Sequence, residues 1–156
     1  MKRNTATALA VVVLGWFYFN HMQDPVARYT AYPFEYRDVV VSAAEKEEVS
    51  PSLVASVILA ESKYKNTAES ETGALGLMQL MPDTARWVAQ QMGHSNYTDR
   101  QLKEPEINIQ LGTWYLGYLL KEFNGDEVQA LAAYNAGRGH VESWVKEKNW
   151  NGMVDT

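Results

Sequence analysis

The sequence has 156 residues, of which 46% are hydrophobic, and this is enough for one compact domain with its own core. It contains no cysteine, which excludes a disulfide framework and a thiolate nucleophile. The net charge of -5 and the lack of a basic cluster argue against a nucleic-acid-binding function.

The N-terminal segment differs in composition from the rest of the chain. Lys2 and Arg3 precede a run without charged residues, NTATALAVVVLGWFYFN, that ends at Asn20. A basic start before an apolar run is typical of a signal peptide or a membrane anchor. No small-residue cleavage motif follows, and the aromatic end of the run suits a membrane interface. We therefore expect an uncleaved signal-anchor helix over 1–21, with cleavage and secretion, or a buried core helix, as the alternatives.

The remainder of the chain has the pattern of an all-α domain without alternating strand segments or internal repeats. Residues 22–33 contain two prolines and are predicted to be a tether, residues 34–150 the domain and residues 151–156 a tail. Ser50 before Pro51 is a predicted helix start, and Asp126 is a predicted helix cap. Helices are predicted over 34–49, 51–64, 82–92, 105–123, 127–137 and 140–148, with a polar loop over 94–105.

The second predicted helix carries a glutamate on its apolar face. At 100° per residue, Glu61 falls in the sector that Val54 and Ile58 occupy. An inward carboxyl group is costly to ionise, so we expect a raised pKa for Glu61 and a protonated fraction near neutral pH that suits a general acid. The alternative is a helix-end glutamate that reaches solvent or pairs with Lys65.

Two further segments place polar side chains among apolar ones. In GALGLMQLMP, Gly73 and Gly76 indicate close backbone approach or positive φ, and Gln79 is surrounded by leucines and methionines. A buried amide needs partners, which a sugar would supply, although a structural bond to the loop backbone is the simpler alternative. In ALAAYNAGRG, Tyr134 and Asn135 interrupt an alanine-rich helix, where a tyrosine contacts a sugar or only packs.

Three motifs, ILAESKYKNTAES, GALGLMQLMPDTA and ALAAYNAGRGHVESW, occur in this order. Together they resemble the lysozyme-like lytic transglycosylases of bacterial cell walls, which are soluble lytic murein transglycosylase catalytic domains in the goose-type lysozyme clan. The resemblance covers Tyr36 to Trp144 and implies a lysozyme-like helical domain behind the N-terminal anchor helix. Many members carry proline where this chain has Asn66, a loop position.

The resemblance also implies roles for individual residues. Glu61 matches the general acid of the family. Ser70 matches a serine that orients this glutamate or binds the acetamido group of the substrate. The remaining expected residues of the glycan site are Gln79, Met78, Met81, Tyr134 and Asn135. Of these, Tyr134 should lie near the catalytic carboxyl group.

The implied activity is cleavage of the β-1,4 bond between N-acetylmuramic acid and N-acetylglucosamine, which leaves a 1,6-anhydro end. Glu61 would act first as the acid and then as the base for the C6 hydroxyl of the sugar. Glu69 or Glu71 would supply the second carboxylate of a muramidase, but both lie in a polar turn that predicts solvated side chains. A non-catalytic glycan-binding module is a third reading, against which the retained Glu61 argues.

These expectations define the surroundings of the protein. We expect peptidoglycan glycan strands as its substrate, the cytoplasmic membrane as its anchor, the domain outside that membrane in the bacterial cell envelope, no nucleic-acid partner and a monomer. His21, His94 and His140 lie in separate regions without the spacing of metal ligands, so neither a metal nor a cofactor is expected.

Overall fold

A computed structural model describes residues 35–148 of the chain. These residues form six α-helices and a short 3₁₀ helix without a strand, which confirms the predicted all-α class for this part of the chain. The helices are α1 (Arg37–Glu47), α2 (Pro51–Ser62), α3 (Pro82–Gln91), α4 (Pro105–Glu122), α5 (Glu127–Ala136) and α6 (Arg138–Lys148), and the 3₁₀ helix (Asp99–Lys103) lies between α3 and α4.

The segments predicted as a membrane anchor (1–21), a tether (22–33) and a tail (151–156) lie outside the described residues, and so do both ends of the predicted domain, 34–150. Between residues 35 and 148, none of the helices has the length and apolar character that crossing a bilayer requires. The anchor, the tether and the domain limits therefore stay predictions.

Helix α4 is the centre of the described domain. Helices α1, α3 and α5 and the 3₁₀ helix all pack against it, while α2 packs on α1 and α6 packs on α5. Ile109, Leu116 and Leu119 of α4 are fully buried. Because the burial of such a side chain contributes about 1.5–3 kcal/mol, this helix provides much of the hydrophobic stabilisation and a fixed base for the loops around it.

The starts of two helices agree with the predictions. The Asp126 carboxylate accepts a hydrogen bond from the Gln129 backbone N–H at 3.0 Å, which confirms the predicted cap of α5. Pro51 is the first residue of α2, where its fixed φ suits a helix and its missing N–H costs nothing. Ser50 precedes it as predicted, but its hydroxyl bonds to the Ser52 hydroxyl instead of capping the helix.

The ends of two helices differ from the predictions because residues there adopt left-handed backbone. Helix α1 is shorter at both ends, where Tyr36 has φ 58° and Glu48 has φ 59°. Helix α2 ends at Ser62 because Lys63 and Tyr64 have φ 52° and 63°. A non-glycine residue with positive φ cannot continue a right-handed helix, and no sequence signal marked these four positions.

The prediction of a polar loop over 94–105 is wrong for its second half, which forms the 3₁₀ helix. Its start is fixed by Thr98, whose backbone N–H donates to Oε1 of Gln101 at 2.9 Å. Leu102 is fully buried in the core between α3 and α4. A single buried leucine among polar residues gives no periodic signal, so the sequence pattern missed this turn. Helix α6 begins earlier than predicted, directly after Gly137 with φ 93°.

Candidate active site

A cleft of about 400 Å³ brings together residues from all three sequence motifs. It lies between the end of α2, the loop from Ser70 to Met81, the start of α3, and the facing sides of α4 and α5. Glu61 is the one acidic residue on its walls within the described part of the chain. The other lining residues are Ser70, Thr72, Ala74, Gln79, Leu80, Met81, Thr84, Tyr115, Tyr134, Asn135, Ala136 and Gly137.

Glu61 lies in the last turn of α2 and is half-buried, as the helical wheel predicted. Val54 and Ile58, on the same face, are fully buried. Among the described residues the Glu61 carboxyl group has neither a hydrogen-bond donor nor an ion-pair partner, so the pairing with Lys65 is not formed there. Burial raises its pKa above the ordinary glutamate value. The negative end of the helix dipole at this position also disfavours the carboxylate.

The loop that carries Gln79 is held from below by a side chain that the sequence analysis did not single out. Asn108 of α4 is fully buried, and its Oδ1 accepts from the Met78 N–H at 2.7 Å. Its Nδ2 donates to the carbonyl oxygens of Leu75 and Leu102, each at 2.9 Å. Gly76 has φ 80°, and a Cβ there would lie 2.2 Å from Asn108 Nδ2. The only sequence signal was an amide side chain on the buried face of a predicted helix.

The two side-chain amide atoms of Gln79 have different surroundings. Its backbone is left-handed, with φ 47°. Nε2 donates to the carbonyl oxygens of Gly76 at 2.9 Å and Ala68 at 3.2 Å, so the bond to the loop backbone that we gave as the simpler alternative is formed. Oε1 has no donor among the described residues, and Gln79 lines the cleft. The fixed nitrogen therefore leaves an oriented acceptor for a ligand.

The two methionines of this loop have different positions. Met81 is 41% exposed and lines the cleft, where we expected it. Met78 does not line the cleft, and this corrects the expectation from the sequence: its side chain is fully buried under the loop. It packs against Gly112 of α4, where a Cβ would lie 2.5 Å from its sulfur atom. The path of the tight loop directs these two side chains to opposite sides, and the sequence did not show which of the two methionines would be buried.

Tyr134 of α5 lies beside Glu61 and is fixed by a contact across the cleft floor. Its hydroxyl donates to the Met78 carbonyl oxygen at 2.8 Å, and its ring packs against Tyr115 with centroids 5.5 Å apart. Burial and then the negative charge of Glu61 hold its pKa well above the ordinary tyrosine value. Because its one proton is directed at Met78, Tyr134 cannot donate to the Glu61 carboxylate, and the effect of burial on Glu61 is left unopposed.

Ser70 and Asn135 both line the cleft. The Ser70 hydroxyl accepts from the Ala74 N–H at 2.9 Å and lies 2.9 Å from the Thr72 hydroxyl. It therefore closes the turn before the glycine-rich loop, and within residues 35–148 no hydrogen bond links it to Glu61. Asn135 is exposed beside Tyr134.

The other acids near Glu61 in sequence point away from the cleft. Glu69 is exposed and forms an ion pair with Lys103 at 3.5 Å, and Glu71 is exposed. Neither lines the cleft. The described residues also contain no group of three or more histidine, aspartate or glutamate side chains placed to hold a metal ion. The chemistry available in the cleft is therefore that of one proton-donating carboxyl group among neutral hydrogen-bonding and aromatic side chains.

A helical domain with one half-buried carboxyl group at the end of a helix, on the wall of a cleft, is of the lysozyme-like class. Within that class, the chain belongs to the Transglycosylase SLT domain family, which matches residues 38–154. This confirms the family that the three sequence motifs indicated.

Individual relatives agree with this assignment. The chain is 36% identical over 125 residues to the soluble lytic murein transglycosylase of Salmonella typhimurium, covering 80% of this chain and 19% of that protein. The solved 70 kDa soluble lytic transglycosylase of Escherichia coli matches 76% of this chain with a TM-score of 0.71 and 34% identity. The solved inactive glutamate-to-glutamine mutant of a lytic transglycosylase from Pseudomonas aeruginosa matches 74% with a TM-score of 0.70 and 38% identity. This chain covers 19% of each of these two structures.

Proposed function

We propose that this protein is a peptidoglycan lytic transglycosylase. It cleaves the β-1,4 bond between N-acetylmuramic acid and N-acetylglucosamine and leaves a 1,6-anhydro end on the muramic acid. The observation that carries the proposal is the single unpaired carboxyl group of Glu61 in a cleft whose other lining residues are uncharged. The family membership of residues 38–154 supports the same activity.

The mechanism uses Glu61 twice. The protonated carboxyl group donates its proton to the bridging oxygen while the bond to C1 of the muramic acid breaks, so the released sugar leaves with a neutral hydroxyl group. The resulting carboxylate then takes the proton of the C6 hydroxyl as that oxygen attacks C1. Because the attacking oxygen is tethered to the same sugar, its effective concentration is high and no activated water is needed. Glu61 ends the cycle protonated.

The surroundings of Glu61 suit this proton cycle better than two-carboxylate hydrolysis. A hydrolase of that kind holds two carboxyl groups about 5–9.5 Å apart on either side of the bond. Here the acids nearest to Glu61 in sequence, Glu69 and Glu71, are exposed and do not line the cleft. The raised pKa of Glu61 keeps a protonated fraction at higher pH than an exposed glutamate would retain.

The other cleft residues bind and orient the glycan in this proposal. Gln79 Oε1 accepts from an acetamido N–H or a hydroxyl group of a sugar, since its Nε2 is already used by the loop. The exposed thioether of Met81 contacts the apolar face of a sugar ring. Tyr134 shapes the space beside Glu61 and Asn135 offers hydrogen bonds at the rim, while Ser70 holds the loop and presents its hydroxyl to the acetamido group.

The proposal places the protein in the bacterial cell envelope. Residues 1–21 anchor it in the cytoplasmic membrane with the domain outside, where the glycan strands lie; if this segment is cleaved, the protein is secreted. It acts as a monomer, without a cofactor. A globular domain tethered by residues 22–33 would reach only wall material close to the membrane surface.

The test is the mass of the released fragments. The purified protein is incubated with isolated peptidoglycan, and soluble fragments are analysed by mass spectrometry. We expect fragments one water lighter than hydrolysis products. Glu61→Gln, which keeps the size of the side chain, should release none while its circular dichroism and melting curve still show a folded protein. Ordinary reducing ends would instead indicate a muramidase, and binding without release by the unaltered protein would indicate a glycan-binding module.

A further inference from the structure

Four aromatic residues on α3 and α4 form a connected surface that the proposed mechanism does not use. We call Trp87, Trp114, Tyr115 and Tyr118 the aromatic shelf. The other three rings meet Trp87 at interplanar angles of 69°, 83° and 71°, with centroids 5.6, 6.3 and 5.1 Å away. Trp114 and Tyr118 are parallel to within 1°. Each ring is therefore held in orientation by its neighbours.

Trp87 is the accessible member of the aromatic shelf. It keeps 37% of its surface exposed, whereas the other three rings are partly buried. Among the described residues, every ring that contacts Trp87 meets it at a steep angle, so none is stacked on it. A large aromatic side chain that is fixed by its neighbours yet open to solvent is a surface on which a flat apolar group can stack.

The aromatic shelf is continuous with the cleft. Tyr115 belongs to both, since its ring contacts Trp87 and also lines the cleft beside Tyr134. Thr84, another lining residue, precedes Trp87 by one turn on the same side of α3. A linear polymer that lies in the cleft and extends past Tyr115 therefore reaches Trp87.

The charged side chains around the aromatic shelf are paired with one another. Arg138 donates to the Tyr118 hydroxyl at 2.6 Å and forms ion pairs with Glu122 at 3.1 Å and Glu142 at 3.3 Å. Arg86, on the same helix as Trp87, is paired with two aspartates. Both guanidinium groups are therefore already engaged by carboxylates of the protein itself. A pyranose ring, with an apolar C–H face and hydroxyl groups at its edge, matches such a surface because the edge stays in water.

We propose that the aromatic shelf, with Trp87 as its platform, is an outlying glycan subsite that stacks a sugar ring of the same strand whose scissile bond lies at Glu61. The inference rests on the proposed function and deepens it. Its consequence is a dependence on strand length: strands long enough to span the cleft and the shelf bind more tightly than strands that fill the cleft alone.

The experiment uses calorimetric titration of the full-length protein carrying Glu61→Gln, so that the glycan is not cleaved. The probes are peptide-free strands of alternating N-acetylglucosamine and N-acetylmuramic acid, one a tetrasaccharide and one an octasaccharide. We expect Trp87→Ala to raise the Kd for the octasaccharide by about three- to tenfold, the range for one aromatic stacking contact. The Kd for the tetrasaccharide, which can bind in the cleft in registers that do not reach Trp87, should change less.

Matched variants separate stacking from a loss of structure. Trp144 has the same 37% exposure but belongs neither to the aromatic shelf nor to the cleft lining, so Trp144→Ala should leave both Kd values unchanged. Trp87→Tyr keeps a ring and should recover most of the octasaccharide affinity. If Trp87→Ala does not fold, as judged by its melting curve, Trp87→Gln supplies the same comparison with a longer polar side chain.

The possible outcomes are distinguishable. Octasaccharide binding that is equally tight with and without Trp87 overturns the subsite, and so does an equal loss in Trp144→Ala. The same titration is repeated with a peptide-bearing octasaccharide. If Trp87→Ala weakens the binding of that strand only, the shelf binds the peptide stem and the assignment to a sugar is overturned. If the Glu61→Gln protein binds neither strand at all, the proposed function itself is contradicted.

Discussion

The loop that carries Gln79 depends on the buried side-chain amide of Asn108. Removing this amide should lower the free energy of unfolding by a large amount for a single side chain. Asn108→Ala leaves two polar groups without partners, the N–H of Met78 and the carbonyl oxygen of Leu102, and takes one of two donors from the Leu75 carbonyl oxygen, which keeps the Leu80 N–H at 3.1 Å. Each unpaired buried group costs about 1–3 kcal/mol, and water entering the vacated space recovers part of this. We therefore expect the free energy of unfolding to fall by about 2–4 kcal/mol, mainly from the lost hydrogen bonds.

Urea denaturation followed by tryptophan fluorescence measures this change. The midpoint should move to lower urea while the slope stays the same, since the surface exposed on unfolding is unaltered. Thr113→Val is the matched control on the same helix: Thr113 is also buried, but its hydroxyl makes only a weak contact with the Met78 sulfur at 3.9 Å. It should lose less than about 1 kcal/mol. Equal losses in the two variants would refute the reasoning that Asn108 holds the loop.

Three further predictions concern the pH dependence of stability, the packing and the caps. Burial raises the pKa of Glu61, so the stability of the unaltered protein should fall relative to that of Glu61→Gln as the pH rises through the titration of this carboxyl group. Melting temperatures of both proteins at acidic and neutral pH will show whether the difference between them changes in this direction. Gly112→Ala drives a Cβ into Met78 and should cost about 1–3 kcal/mol, measured by urea denaturation; Gly139→Ala in α6, with open space around it, should be neutral or stabilising. Asp126→Ala removes the cap of α5 and should cost about 1 kcal/mol by thermal melting, whereas Asp126→Asn should cost less.

The sequence could predict features that local pattern determines. The inward position of Glu61 follows from the periodicity of α2, and its half-burial agrees with the helical wheel. The cap at Asp126 and the start of α2 at Pro51 follow from residue preferences at helix ends, which act within one turn. The residue identities of the three motifs were enough to place Glu61, Gln79 and other lining residues in a common site before any distance was known.

Features that depend on contacts distant in sequence could not be predicted. Asn108 lies 30 residues from the Met78 backbone that it binds, and no local pattern distinguishes such an amide from one that faces water. The burial of Met78 and the exposure of Met81 depend on the path of a tight loop rather than on a repeating period. The aromatic shelf likewise arises where α3 packs on α4, and its members are separated along the chain.

The bond between the Tyr134 hydroxyl and the Met78 carbonyl oxygen joins residues 56 positions apart. The wall that Tyr134 forms beside Glu61 is therefore in place only when α5 is docked on α4. A partly unfolded chain would lack this paired wall beside Glu61, so the proposed activity would require the completed tertiary structure.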